Sequence, residues 1–152
     1  MDGEDLIRAF GKELGLELEP DDSGSCAFSS DGITLTLTAL READCVAFTA
    51  DLGALPPERP DNLYRLMLES NHLFNATGGA TLSLDSDSGH AALCRVFPCA
   101  AADADSFYAA VERFANAAES WAKIIADYRF SAADAEDGPG ADMPPAGSFL
   151  RV

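Results

Sequence analysis

Basic residues are scarce in this chain. Of 152 residues, 10 are Lys or Arg against 26 Asp or Glu, which gives a net charge of -16. Such a surface repels phosphate backbones and anionic lipid, so nucleic acid and membranes are not expected partners. Lysine is almost absent, with only Lys12 and Lys123. No apolar run approaches the length of a membrane span, and the charged opening MDGEDLIRAFGKE has no apolar signal segment. The four cysteines (Cys26, Cys45, Cys94, Cys99) contain no CxxC pair, and His72 and His90 stand apart, so paired zinc ligands are missing. These absences predict a cytoplasmic protein with reduced cysteines, no cofactor and no metal.

Apolar material is plentiful. At 47% hydrophobic the chain has enough for one core, and its patterning gives the elements. Leu6, Ile7, Phe10 and Leu14 recur at helical spacing, with Gly15 as a stop. CAFSS (26–30) and ITLTLTAL (33–40) flank Asp31-Gly32, a two-residue hairpin signal. CVAFTADL (45–52) is a third strand. After ALPPERPDN a helix is predicted over about 61–76, with Leu63, Leu66, Met67, Ser70 and Phe74 on one stripe and Leu68 and Leu73 widening its apolar surface. ATLSLD (80–85) and AALCRVF (91–97) form a second hairpin. Asp103 caps a last helix whose stripe runs Phe107, Val111, Phe114, Ala118, Trp121, Ile125 and Tyr128. The order α-β-β-β-α-β-β-α defines an α+β domain over 1–130. An Ala/Asp/Pro/Gly tail over 131–152 follows, too polar for a core, ending in SFLRV.

The most motif-like stretch is NATGGATLSLD (75–85). A phosphate-binding loop needs backbone N–H groups at a helix N-terminus. Here a helix precedes Gly78-Gly79 and a strand follows, and no GK[ST] is present, so the glycines read as a helix stop. Ser70 and His72 are two apart and face different ways on a helix. A Cys94/His90 dyad has no supporting pattern, and Asp51 is the one weak acid/base candidate. No enzyme signal survives. An apolar second helix face suggests a subunit interface.

In their order and spacing, FGKELGLELEPDDSGSCAFSSDG, LGALPP, LMLESNHLFNATGGATLSLDSDSG and FYAAVERFANAAESWA resemble the type III secretion chaperones of the Tir-chaperone (CesT) family. The resemblance covers about residues 4–128. It implies a non-catalytic homodimer that binds the N-terminal segment of a secreted effector in partly extended form. The chaperone keeps that cargo soluble for the secretion apparatus and its ATPase. Carried over by position, Leu6, Ile7, Phe10, Leu14, Phe28, Ile33 and Leu35 would serve cargo binding, on or under a groove. Leu63, Leu66, Met67, Ser70, Phe74, Thr81, Leu82 and Leu84 would serve the dimer interface. Phe10→Asp is then expected to weaken cargo binding and spare the dimer. The alternative is a regulatory or adaptor module on the same scaffold.

Overall fold

Asp2 opens the first helix, α1 (Gly3–Glu13), by accepting the Asp5 backbone N–H at 2.9 Å. Glu4 and Asp5 lie in its first turn and Lys12 in its last, so both ends suit the helix dipole. The computed structural model describes residues 1–58 and 60–134. Five strands follow the pattern of the sequence: β1 (Ser25–Ser30), β2 (Ile33–Leu40), β3 (Cys45–Ala54), β4 (Thr81–Leu84) and β5 (His90–Pro98). They form one antiparallel sheet in the order β1-β2-β3-β5-β4. Asp31 and Gly32 both take positive φ (49° and 79°), which the tight β1–β2 turn requires.

The register sorts the side chains. Phe28 pairs with Leu35, Leu35 with Ala50, Leu37 with Phe48 and Ala50 with Leu93, so these share one face. That face is the core, and α3 (Ala104–Asp134) crosses it against β3. Phe107, Val111, Phe114, Ala118, Trp121 and Ile125 are all buried, as their spacing predicts. Asp103 caps α3 reciprocally: its carboxylate accepts the Ser106 N–H at 2.8 Å, and its own N–H donates to Ser106 Oγ at 3.1 Å. The other face carries Thr34, Thr36, Thr38, Thr49, Thr81 and Ser83, an alternation that suits a wetter surface.

The second helix departs from expectation. α2 runs Asp61–Asn71 and stops there, because His72 turns extended (ψ 118°). A short 3-10 turn, His72–Phe74, follows, in which Leu73 and Phe74 both have φ 55°. Gly78-Gly79 therefore does not end the helix; it closes a separate turn leading into β4. The break coincides with Asn71, whose side chain is bonded to β4 instead of facing solvent. α3 runs on through residues 131–134, where the sequence predicts the tail to begin, and the rest of that tail, with its terminal SFLRV, lies outside the described residues.

Candidate protein-binding surfaces

Chemistry that would mark an active site is dispersed. His90 Nδ1 meets Asp51 at 2.9 and 3.0 Å, an exposed pair at the end of the β3–β5 ladder. Cys94 lies four residues along β5 from His90, roughly 13 Å at strand spacing, and its thiol neighbours the Ser83 hydroxyl at 3.6 Å. Ser70 is buried while His72 is exposed. Among the described residues no three His, Cys, Asp or Glu cluster as metal ligands, and no helix is long and apolar enough to cross a membrane. Burial raises the Cys26 and Cys99 thiols above their ordinary pKa, which disfavours the thiolate.

Two apolar surfaces remain. The first lies where α1 meets β1, an edge strand. Phe10 is 6% exposed and sits in an aromatic cluster, 5.6 Å from Phe28, 5.6 Å from Tyr108 and 6.1 Å from Phe107. Leu6, Ile7 and Leu35 have essentially no exposed area either, so these four underlie the surface and do not line it. Leu14 (42% exposed) and Leu16 (43%) stand out at the end of α1, with Phe28 and Ile33 half-buried. Phe10→Asp would place a carboxylate inside the core, so it reads as a folding variant and not as a selective groove variant.

The second surface surrounds α2 and β4. Leu63, Leu66, Met67, Ser70 and Leu82 face the domain's own core. Leu68 and Leu73 are each 71% exposed, Phe74 53% and Leu84 50%, and Thr81 is exposed beside them. The predicted stripe was the core stripe; the apolar side chains left over for a partner are Leu68 and Leu73, with Phe74 thrown outward by the break after Asn71. Leu73 and Phe74 are bulky residues in left-handed backbone, a costly conformation that marks the segment as specified by its surroundings.

Each edge of the sheet is engaged at one residue, and at β1 it is Ser25, which donates its N–H to the Asp21 carboxylate at 3.0 Å and accepts the Asp21 N–H at 2.9 Å on its carbonyl. β4 is closed at Leu82, whose N–H and carbonyl both bond the Asn71 carboxamide at 2.8 and 3.1 Å. Beyond Ser25 no strand pairs the outer side of β1 among the described residues. An edge of that kind is a template for an added strand.

A five-stranded sheet of this order, with two helices over one face and a third along an edge, is the fold of type III secretion chaperones. The chain belongs to the Tir chaperone protein (CesT) family, whose sequence profile matches residues 5–122. Its fold is similar to that in the ExsC–ExsE complex, at 21% identity and TM-score 0.68, covering 82% of this chain and 97% of that one. It is also similar to the HopA1–SchA chaperone–effector complex, at 21% identity and TM-score 0.61, covering 81% and 91%. The type III secretion chaperone SycH of Yersinia pestis, solved with a stable YscM2 fragment, matches at 22% identity and TM-score 0.60, covering 78% and 98%. No curated protein sequence matches the chain significantly.

Proposed function

We propose that this protein is a cytoplasmic, non-catalytic type III secretion chaperone that binds the N-terminal segment of a secreted effector as a homodimer. The observation that carries this reading is the β1 edge, unpaired by any strand beyond Ser25, beside the exposed apolar side chains at the end of α1. An extended segment gains backbone hydrogen bonds along such an edge and buries alternate side chains against the apolar strip. In that role Leu14, Phe28 and Ile33, with Leu16, touch the cargo, and Leu6, Ile7, Phe10 and Leu35 hold the surface from beneath. Phe74, Thr81 and Leu84, with Leu68 and Leu73, form the dimer contact, which Leu63, Leu66, Met67, Ser70 and Leu82 support from the core side. The net charge of -16 favours a cargo segment of basic character and keeps the complex soluble until it reaches the secretion apparatus and its ATPase.

Coexpression with proteins secreted by the same cell, followed by hydrogen exchange on the captured complex, tests this reading. The expected result is a dimer that retains one or more secreted proteins and gains protection along β1 and α1. Leu14→Asp combined with Leu16→Asp should abolish capture and leave the circular dichroism unchanged, because both side chains are exposed. Capture that protects neither element, or a chain that captures no secreted protein, would overturn it.

A further inference from the structure

Among the described residues four cationic side chains pair with a carboxylate. Arg8 pairs with Glu4, Asp5 and Glu19; Arg41 with Glu4; Arg65 with Glu69; and Lys123 with Glu119. Lys12 and Arg129, on exposed surface, do not, and neither do Arg95 and Arg113. Among the described residues neither guanidinium makes a salt bridge or a hydrogen bond, and Arg95 Nη1 is buried with no acceptor. The two nevertheless lie together. Arg95 projects from β5 on the helix-facing side, in register with Phe48, and is half-buried, while Arg113, exposed on α3, lays its stem against Gly78 beside it. Burial first, and the nearby Arg113 charge second, lower the Arg95 pKa. Arg95 nevertheless stays charged, because a guanidinium does not lose its proton in proteins.

The local sequence keeps this pair unneutralised. One helical turn either side of Arg113, positions 109, 110, 116 and 117 are Ala, Ala, Asn and Ala, so α3 offers no carboxylate at salt-bridge spacing. Gly78 and Gly79, at φ 63° and 89°, form the wall opposite. A Cβ on Gly78 would lie 3.5 Å from Arg113 Cγ, and one on Gly79 would lie 3.9 Å from Arg95 Cζ. The arginines therefore rest on bare backbone. Trp121 Nε1 ties this loop to α3 by donating to the Ala76 carbonyl at 2.9 Å, so the crevice has fixed walls. A buried donor without an acceptor is costly, and a second cation beside it raises the cost. Water would satisfy the donor but leave the charges facing each other. An oxyanion satisfies both.

We propose that Arg95 and Arg113 form a docking site for a carboxylate, supplied by an Asp or Glu side chain of the bound protein segment. The identity of that segment rests on the chaperone reading above. The ligand is a single carboxylate because the surrounding field of a -16 chain penalises more highly charged anions, while a paired guanidinium fork offers parallel N–H donors to one planar group. The general field selects a segment of basic character. The arginine pair reads one acidic position within it and so fixes register.

The test uses the full chain, with arginine Nε–Hε resonances followed by NMR during titration with sodium acetate, inorganic phosphate or sodium chloride at constant ionic strength. Acetate should give a saturable shift at Arg95 and Arg113 that chloride does not, and Arg113→Gln should remove it from Arg95. No saturable response, a response unchanged by Arg113→Gln, or saturation by phosphate alone would overturn the proposal. Arg113→Gln carries the comparison should Arg95 variants fail to fold. A second arm replaces each Asp and Glu of a captured effector segment by its amide. One replacement should weaken binding about tenfold to the parent chain and have no effect on Arg113→Gln. Capture in which no acidic position matters would overturn this inference and leave the chaperone reading standing. Loss of all capture beside an intact acetate response would overturn the chaperone reading and, with it, the occupant named here.

Discussion

The Asn71 carboxamide bonds both backbone groups of Leu82, accepting its N–H at 2.8 Å and donating to its carbonyl at 3.1 Å. A side chain thus stands where a neighbouring strand would stand, and it closes one edge of the sheet. Asn71→Ala removes both bonds and leaves two part-buried backbone groups without partners, so it should cost about 2 kcal/mol. The midpoint of urea unfolding reads this directly. A change below about 0.5 kcal/mol would show that water replaces the carboxamide at no cost.

Trp121 should couple the glycine turn to α3. Trp121→Phe keeps most of the aromatic bulk but deletes the donor to the Ala76 carbonyl, with an expected loss of about 1 kcal/mol. Amide exchange in residues 75–79 should accelerate more than exchange in β2 or β3. Uniform acceleration would mean that the hydrogen bond has no local role.

The exposed apolar side chains around α2 separate association from folding. Leu68→Glu with Phe74→Asp should convert a dimer to a monomer by sedimentation without altering the fold, since both positions face solvent within the subunit. Leu66→Asp places its charge in the core and should unfold the chain. A double variant that remains dimeric would move the interface elsewhere.

Phe10→Asp should now lose the native circular dichroism rather than cargo binding alone, because Phe10 packs against three aromatic rings. A folded Phe10→Asp protein would contradict that packing.

Acid should weaken the start of α3. Hydrogen bonds from Ser106, side chain first and backbone second, hold the Asp103 carboxyl below its ordinary pKa. A carboxyl depressed in the folded state stabilises it above the unfolded pKa, and that contribution disappears as pH falls through the folded value. The stability difference between the parent chain and Asp103→Ala should therefore be widest at neutral pH and shrink on acidification below the usual aspartate range. A difference that stays constant through that range would show that the cap does not depend on charge.

Period and punctuation by themselves determined the order α-β-β-β-α-β-β-α, the hairpin at Asp31-Gly32, the Asp103 cap and the buried stripe of α3, since each rests on contacts between residues near in sequence. The family was also legible there, because the order and spacing of short motifs survive where identity is low. Which apolar residues are core and which are surface was not legible. Leu6 and Leu14 share one helical stripe, yet only Leu14 is exposed, because the sheet and α3 reach one end of the helix and not the other. Tertiary structure alone ended α2 at Asn71, since the carboxamide is claimed by a strand that begins ten residues later. It also turned Phe74 outward and brought Arg95 and Arg113, eighteen residues apart, into one crevice over Gly78-Gly79. Hydrophobic spacing records that a side chain prefers to leave water, but only the assembled layers decide whether anything is there to cover it.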